Sequence, residues 1–132
     1  MTLLEVRGSV NQPHPSSLPR HRVDFAHESE GLLASLFTLY GVEWLYEPHE
    51  FVLRRNGSGA VVSAFRPDFY LPALSLYVEL TVMRQSLVTS KNRKVRLFRE
   101  LYPEVELRMI YKQDFVELMH RHGLSATEAA SV

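Results

Sequence analysis

Residues 66–94 read RPDFYLPALSLYVELTVMRQSLVTSKNRK, and they place two carboxylates, Asp68 and Glu79, inside otherwise apolar, strand-like text. Acids in such a setting need a reason, because a desolvated carboxylate is costly unless it is paired or hydrogen-bonded. If the two come together they repel each other, and a divalent cation between them is the usual resolution. Ligands that are all oxygen suit magnesium or manganese. The plainer alternative is a salt-bridged strand glutamate and an unrelated turn aspartate after Pro67.

The elements around the acids decide whether they can meet. In Leu76–Val82 alternate side chains face opposite ways, so Leu76, Val78, Leu80 and Val82 form an apolar face and Tyr77, Glu79 and Thr81 share the other. Asp68 falls at the end of the preceding strand or just beyond it, so the carboxylates converge if those strands are neighbours. A helix is expected over Lys91–Tyr102, stopped by Pro103. Lys91, Val95, Phe98 and Tyr102 lie on one side of it. Lys91 thus opens the helix on its inner face, where its long chain can reach Glu79. Arg93 and Arg96 point elsewhere, towards solvent or a phosphate.

The rest of the chain supplies the frame. Phe25–Tyr40 has helical spacing, with Asp24 available as a cap and Gly41 as a stop. Val42–Tyr46 is a short strand, and Phe51–Arg55 and Ala60–Phe65 flank an Asn-Gly-Ser-Gly turn in a hairpin pattern. Pro67 and Pro72 bracket a short extended piece. Val105–Tyr111 is a strand, and Asp114–His122 is a last helix ending at Gly123. The expected order is helix, three strands, helix, strand, helix, which gives an α/β fold with a mixed central sheet flanked by helices. The unit from Leu76 to Tyr111 is expected to be a right-handed parallel crossover. Residues 1–22 read as an extended arm, 23–123 as a single domain and 124–132 as a loose tail.

The 132 residues suffice for one domain with a real core. The absence of cysteine excludes a disulfide scaffold, a thiolate zinc site and a cysteine nucleophile. No apolar run approaches the ~20 residues that span a bilayer, and Glu5 and Arg7 interrupt the apolar patch at the N-terminus. A cytoplasmic protein is expected. Net charge is zero, yet between Leu80 and Arg99 there is no acid, while Arg84, Lys91, Arg93, Lys94, Arg96 and Arg99 all fall there. A neutral total can hide a basic face, and a polyanion meets the face. The six histidines show no zinc spacing. They read as structural or surface residues, with His27 nearest the suspected site. Ser29 is expected to cap or hydrogen-bond locally, and Trp44, Tyr46 and Phe51 to lie in the core or at its rim. No phosphate-cradling glycine loop or serine nucleophile elbow occurs.

Pro67-Asp68 followed by Glu79-Leu80-Thr81, with a helical glutamate upstream and a basic helix downstream, resembles the PD-(D/E)XK nuclease superfamily. The text PDFYLP, YVELT and KNRK is similar to that of small bacterial proteins of this superfamily. The element order matches its restriction-endonuclease-like core, over roughly His27 to Tyr111. The resemblance implies Mg²⁺- or Mn²⁺-dependent hydrolysis of phosphodiesters. It implies that Asp68 and Glu79 hold one or two ions, with the Leu80 carbonyl as a further ligand. Glu30 from the first helix, or Glu28 in its place, would bind directly or through water.

Thr81 stands where the family usually has a lysine, and a hydroxyl cannot supply that positive charge. Lys91 is the candidate replacement, and Gln85 is a candidate to orient a water or a base. Arg84, Arg93, Lys94 and Arg96 would contact phosphates without reading sequence. The expected function is a metal-dependent endonuclease acting on DNA, with RNA left open and a homodimer suggested because duplex cutting needs two sites. The alternatives are a non-catalytic nucleic-acid-binding module on the same fold, its chemistry lost at Thr81, and an adaptor for an acidic protein.

Overall fold

The computed structural model describes Val6–Arg7, residues 25–82 and residues 85–123. Its elements in chain order are β1 (Val6–Arg7), α1 (Glu28–Leu39), β2 (Leu45–Tyr46), β3 (Glu50–Arg55), β4 (Val61–Phe65) and β5 (Phe69–Leu71). A 3₁₀ turn (Pro72–Leu74), β6 (Leu76–Thr81), α2 (Gln85–Leu101), β7 (Glu106–Tyr111) and α3 (Lys112–Arg121) follow. The remaining parts of the expected arm and tail, with Asp24 as a cap and Arg84 as a phosphate contact, lie outside the described residues. Among the described residues no helix is long and apolar enough to cross a membrane.

The fold is α/β, and its main sheet is mixed. Four strands run in the order β2-β5-β6-β7, with β5 antiparallel and β7 parallel to β6. A second sheet has the order β1-β3-β4. The expected order counts three strands between the first two helices, although the sequence reading places four strand segments and a short extended piece there; the structure has five strands on those segments, divided between two sheets. Prolines and one backbone reversal make the division. Glu47 takes a positive φ of 46° and is followed by Pro48, which ends β2. Pro67, which has no N–H for a ladder, separates β4 from β5.

β6 lies between neighbours on both edges, and Tyr77 to Thr81 are all buried. One of its faces packs Val78 and Leu80 with Leu33 and Leu36 of α1, Phe69 of β5, and Phe115 and Met119 of α3. The other packs Tyr77 with Val95 and Phe98 of α2, Phe51 and Phe65 of the hairpin, and Tyr102. The alternation expected for this strand is therefore present, with a core on each side. Phe98 is fully buried and stands edge-on to Phe51, at 5.0 Å between ring centres.

Local chemistry explains the turns. Asn56 Oδ1 accepts from the amides of Ser58 and Ala60, and Gly59 sits at φ 90°, which closes the expected hairpin. Gly41 at φ 70° ends α1, where its N–H donates to Thr38 O and that of Val42 to Phe37 O. α2 begins at Gln85, six residues before the expected Lys91. Its buried positions Val88, Val95 and Phe98, with half-buried Lys91, form one stripe. α3 begins two residues early, because the Asp114 carboxylate accepts from the Tyr111 amide rather than opening the helix.

Candidate metal centre

Residues 68 and 79 lie opposite each other, because Phe69 pairs with Val78 in the antiparallel β5–β6 ladder. Asp68 is 6% exposed and Glu79 3%. Each carboxylate is bound by the other strand's backbone. The Leu80 N–H donates to Asp68 Oδ2 at 2.8 Å, and the Asp68 N–H donates to Glu79 Oε1 at 3.1 Å. On the far side, the Glu47 N–H donates to the Asp68 carbonyl at 2.8 Å.

Lys91 reaches inwards from α2. Its ammonium lies 2.5 Å from Glu79 Oε2 and donates to the Leu80 carbonyl at 3.4 Å. The reach expected of Lys91 is thus met, from the second turn of a helix that starts earlier. Glu30, on the first turn of α1, is 5% exposed and accepts from the Tyr46 hydroxyl at 2.5 Å. That hydroxyl in turn accepts from the Ala26 amide at 2.9 Å. A cavity of about 540 Å³ opens over these groups, lined by Ser29, Glu30, Glu47, Asp68, Lys91 and Lys112 among others.

The electrostatics follow from burial. Desolvation, then the charges of Glu79 and Glu30, push Asp68 up to about 8, against the pull of the Leu80 amide and Lys91. Burial also pushes Glu79 up, opposed above all by Lys91. Lys91 opposes the rise strongly at Glu79 and only weakly at Asp68, so Asp68 is the more readily protonated member of the pair. The Glu47 carboxyl is raised by burial and then by Glu30. Burial and the bond to Glu30 hold the Tyr46 phenol well away from ionisation.

Glu47 and Tyr46 were not legible as site residues. Tyr46 reads as core, and the orientation of Glu47 depends on a left-handed backbone that only the folded chain reveals. Arg66 secures that backbone by donating to the Glu47 carbonyl at 2.9 Å. Ser29, expected to bond locally, is instead fully buried with no hydrogen-bond partner for its hydroxyl. Thr81 Oγ1 is likewise buried and without a partner. Thr81 lies opposite Tyr111 in the β6–β7 ladder and does not line the cavity. Glu28 is exposed, whereas Glu30 faces inwards.

Other expected residues stand apart. Arg93, Lys94 and Arg96 are exposed on α2, away from the cavity. Lys94 donates to the Ala64 carbonyl at 3.1 Å. Gln85 is the first residue of α2, and its side chain lies outside the described residues. His27 lines the cavity as the residue before α1, and His49 is held by Tyr77 at 2.8 Å.

Among the described residues no three carboxylate or imidazole groups converge closely enough to ligate one ion directly. Asp68, Glu79 and the Leu80 carbonyl nevertheless form a hard-oxygen set of the kind that magnesium and manganese take. In and beside the cavity four carboxylates, Glu30, Glu47, Asp68 and Glu79, face the ammonium groups of Lys91 and Lys112. With all of them ionised, the excess negative charge equals that of one divalent cation. The donor chemistry and the charge of the residues present therefore fit such an ion. No family model, no curated protein and no solved structure matches this chain.

Proposed function

We propose that the chain is a divalent-cation-dependent endonuclease with a restriction-endonuclease-like core, hydrolysing phosphodiester bonds of DNA. One observation carries this reading: Asp68 and Glu79 stand side by side, buried, with Lys91 on them and an acid-lined cavity in front. Paired buried acids with an adjacent cation and raised proton affinity, beside a cavity, make a candidate functional site. Asp68, Glu79 and the Leu80 carbonyl would hold Mg²⁺ or Mn²⁺, with Glu30 contributing through water. A cation bound there supplies positive charge to the phosphate and acidity to an attacking water.

The chain's own groups divide the remaining work. The backbone amides of Leu80 and Asp68 fix both carboxylates, so their geometry is set before any ligand arrives. Lys91 brings to this centre the positive charge that Thr81 lacks and can stabilise charge developing on the phosphate. Tyr46 orients Glu30, and Glu47 is a further carboxylate within the cavity. A single centre cuts one strand, so a homodimer would be the form that cuts a duplex.

Calorimetric titration of Mn²⁺ tests the reading. The wild type should bind, and Asp68→Asn, which keeps an acceptor for the Leu80 amide, should not. Incubation with DNA and with RNA in Mg²⁺ should then give Asp68-dependent cleavage of DNA. Absence of Mn²⁺ binding with and without nucleic acid would refute it. One observation favours a second reading: the Lys91–Glu79 pair satisfies Glu79 without any cation. Under that reading the protein is a non-catalytic nucleic-acid-binding module, and its affinity is insensitive to Mg²⁺.

A further inference from the structure

A second cavity, of about 410 Å³, lies between α2 and the end of β7. Asn92, Arg96, Arg99, Glu100 and Tyr111 line it over a floor that includes Val95. Lys91 and Lys112 line the first cavity, and their chain neighbours Asn92 and Tyr111 line the second.

The fittings of this cavity are specific. Tyr111 is 37% exposed, and its hydroxyl donates to Asn92 Oδ1 at 3.0 Å. A hydrogen bond thus sets the orientation of a ring face that burial does not. Arg99 is fixed by donating to the Leu107 carbonyl at 2.9 Å. Arg96 is exposed on the same wall. A held aromatic face beside two guanidinium groups is the chemistry of a nucleotide in an unpaired strand, with the base on the ring and the phosphate on arginine. The volume falls within the range of sites that take one small ligand.

We infer that this cavity is a subsite for one unpaired nucleotide of the strand whose phosphodiester lies at the Asp68–Glu79 centre, the base stacking on Tyr111 and the phosphate meeting Arg96. The inference rests on the nucleic-acid reading above and adds a substrate class to it: a strand with at least one unstacked base beside the bond attacked. A base within a continuous duplex presents no free face to Tyr111. Among the basic residues of α2 it selects Arg96, and leaves Lys94 to its contact with β4.

The test is fluorescence anisotropy of a labelled single-stranded DNA oligonucleotide, in chelator so that nothing is cleaved. The proteins are wild type, Tyr111→Leu, Tyr111→Phe and Arg96→Gln, each with an unchanged thermal melt. Tyr111→Leu should weaken binding roughly tenfold, the effect of losing one stacking platform, while Tyr111→Phe stays close to wild type. Arg96→Gln should lower the slope of log affinity against log salt by about 0.7, one single-strand phosphate contact. A continuous duplex should not distinguish Tyr111→Leu from wild type. Wild-type affinity in Tyr111→Leu, or no single-strand binding by the wild type, would overturn the subsite. Mn²⁺ binding by wild type and its loss in Asp68→Asn are read separately, so the metal centre can stand while the subsite falls.

Discussion

Replacing Asp68 by asparagine is expected to stabilise the cation-free protein at neutral pH while removing the proposed cation binding. Asp68 is 6% exposed and pushed up to about 8 by desolvation and then by Glu79 and Glu30. In the unfolded chain the same group titrates near its ordinary value of 3.8. Between those values the folded protein holds a proton that the unfolded chain has released. This contribution to stability is complete at pH below the unfolded value and is lost as pH rises through the folded one. The slope for one proton is ~1.4 kcal/mol per pH unit. From pH 5 to pH 7 the loss is therefore about 2–3 kcal/mol. The assay is urea unfolding in chelator across that interval. Wild type should lose stability steadily. Asp68→Asn keeps an oxygen for the Leu80 amide, so its profile should be flatter and should cross above wild type as pH rises. Glu79 and Glu47, also raised by burial, leave some residual slope. Identical slopes in the two proteins would refute the assignment of the proton to Asp68.

Three further outcomes follow from the same geometry. Thr81→Val should raise stability by about 1 kcal/mol, because its buried hydroxyl has no partner and an isosteric methyl removes that penalty. It should leave any cleavage intact, since Thr81 does not line the cavity; chemical denaturation and a nuclease assay check both. Lys91→Met leaves Glu79 buried without its counter-charge and should cost about 3–5 kcal/mol at neutral pH, together with any activity. Mn²⁺ affinity should fall about tenfold for each pH unit below 7, as the ion competes with the Asp68 proton; calorimetry in buffers of different ionisation enthalpy would report close to one proton released.

Some of this was legible before folding, and the reasons are local. The alternation in Leu76–Thr81 is a direct image of the pleat, so the facing of Glu79 and the apolar opposite face could be read off. The Asn-Gly-Ser-Gly turn is equally direct, because few sequences tolerate its backbone. The start of α2 was not, because Gln85–Ser90 reads QSLVTS, with serine, valine and threonine of modest helix propensity. The burial of Val88 decides that turn, and burial is a tertiary fact. The division of the strands into two sheets depends on Glu47 and the prolines, each of which reads in sequence as an ordinary loop residue. The part of the site that escaped has one cause. Glu47, Tyr46 and Ser29 belong to it only through a left-handed backbone, a bond to Glu30 and an unfilled hydroxyl, none of which has a period or a spacing.

The mutual hold between Asp68 and Glu79 bears on how such a chain could change over generations. Each acid occupies a main-chain amide of the neighbouring strand, so each fills a rung of the sheet as well as a place at the cavity. A descendant with no need for the proposed reaction could not discard Asp68 for an alanine without leaving the Leu80 amide unanswered inside the protein. The cheap exits are asparagine and glutamine, which keep the rung and drop the charge. In a lineage of this chain, persistence of the two acids would therefore record the demands of the sheet as much as those of the chemistry. An amide at either position would keep the sheet and forgo the proposed chemistry.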